Sequence, residues 1–120
     1  MRIKTEPTFT VRLYMAGDIG QAKQVLRRLV FPPNSGLCVT VEPTSFIYTG
    51  GEEAGFVVGF LNYPRFPTTP EGLTKRAELV AFRMLNELCQ WSALLVTPNE
   101  TRWMTDRPEE QEHKPEGVTA

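Results

Sequence analysis

Hydrophobic periodicity along this chain switches between two and about 3.6 residues in a set order, and that order limits the available folds more than any other feature. Phe9, Val11, Leu13 and Met15 alternate with Thr8, Thr10, Arg12 and Tyr14, the pattern of a strand buried on one face. Ala16-Gly17 breaks the alternation, and Asp18 with Gln21 three residues on reads as a helix cap. Ile19, Ala22, Leu26, Leu29 and Val30 then recur at helical spacing, with Lys23, Gln24, Arg27 and Arg28 opposite. Pro32 to Gly36 stops that helix. Leu37 to Tyr48 reads as a strand in which Pro43 marks an edge, a bulge or a turn. Thr49 to Glu53 reads as a hairpin connection, and Gly55 to Tyr63 as the returning strand, apolar on both faces and therefore central. Gly55 and Gly59 share one of those faces and would allow a helix or partner to approach closely. After a proline-rich connector, Thr69 caps a long helix from about Pro70 to Gln90. Ala93 to Thr97 is a short strand, and Thr101 to Met104 reads as a further terminal one.

The order β-α-β-β-α-β predicts an α+β, ferredoxin-like fold. Right-handed crossovers put both helices on one face of an antiparallel sheet. The other face is left open, carrying Arg12, Tyr14, Cys38, Thr40 and Tyr48. At 120 residues this is one domain, spanning residues 1–104. Residues 105–120 hold five acids, two bases and almost nothing apolar, so they predict a disordered acidic tail. The net charge of −1 therefore divides into a body at +2 and a tail at −3.

Several function classes are disfavoured. The body lacks the basic excess of a duplex-DNA binder. No apolar run approaches the roughly 20 residues that span a bilayer. Two cysteines 51 positions apart form no zinc set or disulfide framework, and no metal or other cofactor is expected. His113, the one histidine, lies in the tail, which removes Ser–His and Cys–His nucleophile pairs from the body. There is no P-loop or dinucleotide fingerprint. Glu52-Glu53 reads as part of a plain hairpin rather than a catalytic carboxylate pair.

The residues left as candidates for contact are Arg12 and Tyr14 on the open face, Tyr48, and the Tyr63, Arg65 and Phe66 of the Asn62–Pro67 connector, where prolines stiffen an aromatic and cationic stretch. Tyr63 and Phe66 are also suited simply to cover the end of the sheet. This set predicts a non-enzymatic binding protein. The alternatives are a small-molecule or nucleotide module with Arg12, Tyr14 and Arg65 around an anion, a single-stranded RNA binder, and an enzyme using only carboxylate, Tyr or Arg chemistry. The RNA reading is weakened because Gly55–Phe60 lacks the leading basic residue of an RNA-recognition strand, and because Phe56 and Phe60 suit a core. An exposed sheet or edge further predicts a homodimer.

The strings AGDIGQAKQVLRRLVF, GLCVTVEPTSFIYTGGEEAGFVVGFLNYPRFP and ALLVTPNETRW resemble a group of short proteins of tailed phages and prophages, over roughly residues 8–104. The resemblance implies an accessory role in the bacterial cytoplasm, exerted by binding a host protein. It brings no catalytic residues with it.

Overall fold

The computed structural model describes residues 1–30 and 37–108. Its elements run β1 (Thr10–Ala16), α1 (Ile19–Val30), β2 (Val39–Tyr48), β3 (Gly51–Leu61), α2 (Pro70–Glu87), β4 (Ser92–Val96) and β5 (Thr101–Thr105). The five strands form one sheet in the order β2-β3-β1-β4-β5, every pair antiparallel. This is the ferredoxin-like α+β arrangement, with the terminal strand added beside β4. No helix among the described residues is long and apolar enough to cross a membrane.

The helices start where their caps dictate. The Asp18 carboxylate accepts from Gln21 N at 2.9 Å, and Thr69 Oγ1 accepts from Gly72 N at 3.0 Å with Pro70 at the first helical position. The far end of α2 falls at Glu87, short of the expected Gln90. Cys89 takes the left-handed region at φ 54°, and Gln90 N turns back to Leu85 O. A cysteine carries no sequence signal for that conformation, which usually falls to glycine or asparagine.

Both helices cover the sheet face that carries Val11, Leu13 and Met15 of β1 and Phe56, Val58 and Phe60 of β3. Ala22, Val25 and Leu26 of α1, with Leu73, Ala77, Val80, Ala81, Met84 and Leu85 of α2, close the core from above. Each fully buried Leu, Met or Phe in it stabilises the fold by roughly 1.5–3 kcal/mol relative to exposure.

Of the readings open for Pro43, the edge is the one seen, and one other local expectation changes. The pairing of β2 runs unbroken through Pro43 and Phe56. β2 is an edge strand, so the missing N–H lies on the outer side, where no ladder bond is lost. The hairpin turn is only Thr49-Gly50, with Gly50 at φ 88°, while Glu52 and Glu53 belong to β3. β1 pairs with β3 only from Gly55 onward. Ser45–Tyr48 and Gly51–Ala54 therefore continue past β1 as a two-stranded ribbon, and the molecule measures 57 × 32 × 23 Å. β5 reaches Thr105, and Asp106 N donates to Trp91 O. The remainder of the expected tail, residues 109–120, and the Pro32–Gly36 breaker lie outside the described residues.

Candidate functional site

The alternation that sends Val11, Leu13 and Met15 into the core sends Arg12 and Tyr14 to the opposite, helix-free face. Strand register decides their neighbours. Arg12 lies level with Gly59 and Val96, and through Gly59 with Thr40. Tyr14 lies level with Val57 and Leu94, and the row continues to Glu42 on one side and Trp103 on the other. One line across the open face thus reads Glu42, Val57, Tyr14, Leu94, Trp103.

Three adjoining shallow hollows follow this surface. One of about 290 Å³ is walled by Arg12, Tyr14, Thr40, Glu42, Val57 and Leu61, with Gly59 in its floor. A second, about 160 Å³, lies between Tyr14, Phe46, Glu53, Leu94 and Trp103. A third, about 380 Å³, runs from Thr8 past Arg12 and Tyr14 to Pro98. Tyr14 borders all three. Small residues along β3 open the floor here, while Phe46 lies over Gly55 and the Thr40 hydroxyl over Gly59. The two glycines thus accommodate side chains of neighbouring β2 rather than an approaching helix.

Arg12, Glu42 and Glu53 have no ion-pair partner among the described residues, in contrast to the cations on the helix side. There Arg28 meets Glu87 at 2.7 Å and Arg102 meets Glu78 at 2.6 Å. A separate hollow of about 310 Å³ between α2 and the β4–β5 turn is bordered by that Arg102–Glu78 pair, so much of its charge is already matched. The open face offers one uncommitted guanidinium, two uncommitted carboxylates and flat apolar surface from Tyr14, Leu94 and Trp103. That inventory suits a ligand bearing both charges and an aromatic ring. No group of three or more His, Cys, Asp or Glu among the described residues is placed to hold a metal ion.

The other sequence candidates lie elsewhere. Tyr48 packs its ring beside Gly51 near the ribbon tip and borders none of the three hollows. Tyr63, Arg65 and Phe66 close on one another. Phe66 N donates to Tyr63 O at 2.8 Å, the two rings sit 6.1 Å apart, and the Arg65 guanidinium lies 5.5 Å from the Phe66 centroid. Buried Asn62 fastens this turn, donating to Pro7 O at 2.8 Å and accepting from Thr68 N at 2.9 Å. Arg65 lines none of the three hollows that Tyr14 borders. Nor is an RNA-stacking platform formed on β3, since Phe56 and Phe60 are fully buried on the helix side. Sequence reasoning missed Glu42, Phe46, Glu53, Leu94 and Trp103 as members of the face. Their alternation placed them on a side of a strand, but cross-strand register placed them together.

No protein-family model matches the sequence, and no characterised protein matches it at significant similarity. Solved structures do match. A phage SAM lyase in its apo state superposes with a TM-score of 0.68 at 12% identity, covering 92% of this chain and 99% of that one. A phage SAM lyase in complex with S-methyl-5'-thioadenosine gives 0.63 at 10% identity, covering 92% and 98%. The fold is shared with a phage enzyme. This corrects the expectation of a non-enzymatic accessory protein, because a chain of this architecture and nearly this length supports catalysis. The lack of a body histidine, which argued against an enzyme, excludes only histidine-based chemistry. Both matched structures are of phage proteins.

Proposed function

We propose that this chain is a lyase acting on S-adenosylmethionine (SAM) at the open face of its sheet, releasing S-methyl-5'-thioadenosine. The observation that carries the proposal is the match to phage SAM lyase over nearly the full length of both chains, one of the matched structures holding that thioether. The uncommitted groups of the open face support it independently. SAM presents an adenine, a sulfonium, an ammonium and a carboxylate. Tyr14, Leu94 and Trp103 offer a flat surface for the adenine. Glu42 and Glu53 offer negative charge to the sulfonium and ammonium, and Arg12 offers a partner to the carboxylate.

The chemistry needs little from the protein. When the Cγ–S bond breaks, its electron pair goes to sulfur and turns a sulfonium into a neutral thioether. A lyase takes up no water, so Cγ is satisfied from within the same fragment. Either the substrate's own carboxylate closes a five-membered ring on it, or a Cβ proton leaves to a base and an alkene forms. Ring closure brings a carboxylate and a sulfonium to neutrality, and withdrawal from water favours that loss of charge. It asks the site to hold a folded substrate rather than to supply a nucleophile. Neither route requires histidine. The reaction would take place in the cytoplasm of a bacterial host.

The test is direct. The purified full chain is incubated with SAM, thioether release is followed by liquid chromatography, and the four-carbon fragment is identified by NMR. Thioether plus a lactone or an alkene is the expected result, with Arg12→Ala and Tyr14→Ala each lowering kcat/KM at least about tenfold, as loss of a charge-assisted contact or a stacking surface predicts. Unchanged SAM sinks the proposal, and homoserine as the first product would make the chain a hydrolase instead.

A further inference from the structure

We infer that the two carboxylates of the open face have separate tasks: Glu53 reads the positive sulfur of the substrate, so that the neutral thioether product is let go, while Glu42 with Arg12 holds the amino-acid end. The inference rests on the lyase reading and assigns each charge of the site to one part of the ligand.

Register sets the two carboxylates apart. Glu42 lies level with Val57, and Glu53 lies level with Phe46. Four residues of β3 separate those rows, about 13 Å along the strand. Each carboxylate also borders a different hollow. Glu53 borders the one with the flat apolar surface, between Tyr14, Phe46, Leu94 and Trp103, and no lysine or arginine lines it. Glu42 shares its hollow with Arg12. Tyr14 stands between the two hollows and borders both.

These settings match the order of charges along SAM. The sulfonium is bonded to the 5' carbon of the adenosine. A ligand whose adenine lies on Leu94 and Trp103 therefore carries its sulfur beside Glu53, the one charged group of that hollow. The amino-acid end lies beyond the sulfur and bears an ammonium and a carboxylate together. Its complement is a carboxylate and a guanidinium in one hollow, which Glu42 and Arg12 supply. The reverse placement sets the substrate carboxylate beside Glu53 with no cation to meet it.

A consequence follows for turnover. Before cleavage Glu53 faces a cation beside aromatic surface, where attraction is stronger than in bulk water. After cleavage the same carboxylate faces a neutral thioether, and the attraction is gone while the stacking surface remains. The site thus prefers substrate over product without changing shape. Glu53 stabilises bound substrate more than a transition state in which the charge is fading, so its contribution falls on KM and not on kcat.

Calorimetric titration of the full chain at low salt with three uncleavable ligands tests this. Sinefungin carries an ammonium-bearing carbon in place of the sulfonium. S-adenosylhomocysteine has a neutral sulfur and the same amino-acid end, and S-methyl-5'-thioadenosine has a neutral sulfur and no amino-acid end. The wild-type chain should bind sinefungin about tenfold more tightly than S-adenosylhomocysteine, the scale of one charge-assisted contact. Glu53→Gln should remove that preference by weakening sinefungin alone, and in SAM turnover it should raise KM without lowering kcat. Glu42→Gln should weaken sinefungin and S-adenosylhomocysteine alike. Neither variant should alter binding of S-methyl-5'-thioadenosine, which also shows that both are folded. Glu52→Gln makes the same charge change one residue away, level with Ile47 and on the other side of the ribbon, and should alter none of the three. Equal weakening of sinefungin and S-adenosylhomocysteine by Glu53→Gln, no weakening of either, or the same effect from Glu52→Gln overturns the inference. Its failure is separable from that of the lyase reading. SAM cleavage with no charge preference in binding sinks the inference alone, whereas intact SAM with none of the three ligands bound sinks both.

Discussion

Gly55 and Gly59 lie on the same face of β3, four residues apart, yet the surroundings predict opposite responses to one added methyl. A Cβ at Gly55 would strike the Met15 carbonyl oxygen and the Phe46 ring, and would stand 3.1 Å from Ala16 Cα. Two of these three obstacles are backbone of the adjoining strand β1 and have no rotamer by which to retreat. Gly55→Ala therefore forces β1 and β3 apart at Ala16–Gly55, the last pair of their ladder, an overpacking cost of about 2–3 kcal/mol. For a chain of this size that lowers Tm by about 10 °C. At Gly59 the nearest atom is the Thr40 hydroxyl, and no backbone lies within 4 Å. A rotation of Thr40 about χ1 clears the site, and alanine reduces the freedom of the unfolded chain, so Gly59→Ala should change stability by no more than about 0.5 kcal/mol. Urea or thermal unfolding of the two variants measures the difference. Adding Phe46→Ala to Gly55→Ala should recover little, since the carbonyl remains. Equal losses for the two glycines, or full rescue by Phe46→Ala, would refute the reasoning that backbone contact sets the cost.

Other residues carry separate predictions. Asn62→Ala leaves Pro7 O and Thr68 N without their buried partner and should cost about 2 kcal/mol in urea unfolding, although no secondary structure is lost. Thr69→Ala removes the cap of α2 and should cost about 1 kcal/mol by the same measurement. Arg28→Ala breaks a 2.7 Å ion pair whose arginine is two-thirds exposed, and solvent screening should hold its effect below about 0.5 kcal/mol. Arg65→Ala should leave SAM turnover unchanged, since Arg65 stacks on Phe66 and lines none of the three open-face hollows, and a large fall in kcat/KM would relocate the site.

Much of the fold was legible because local chemistry and global packing agree. The alternation through Thr8–Met15, the caps at Asp18 and Thr69 and the apolar stripe of α2 each select one conformation, and the topology rules leave few ways to assemble them. Less was legible where a residue departs from its usual role. Cys89 ends α2 in a left-handed conformation without being glycine, and the Gly-rich hairpin closes in two residues, returning Glu52 and Glu53 to the strand. The candidate site was half legible. Arg12 and Tyr14 could be assigned to the open face by alternation within one strand. Glu42, Phe46, Glu53, Leu94 and Trp103 come from four other strands, and only the register between strands brings them beside Tyr14. The Tyr63–Phe66 turn shows a different limit: its composition suits a contact surface, and the internal stacking of its rings and guanidinium could not be read from the sequence.

The central claim is that the helix-free face binds an adenosyl thioether, and an NMR titration of the isotopically labelled chain with S-methyl-5'-thioadenosine tests it most directly. The predicted result is saturable shifts at Arg12, Tyr14, Thr40, Val57, Leu94 and Trp103, with the hollow between α2 and the β4–β5 turn unmoved at Thr74, Lys75 and Asn99. Saturable shifts confined to that second hollow, or none at millimolar ligand, would contradict the account.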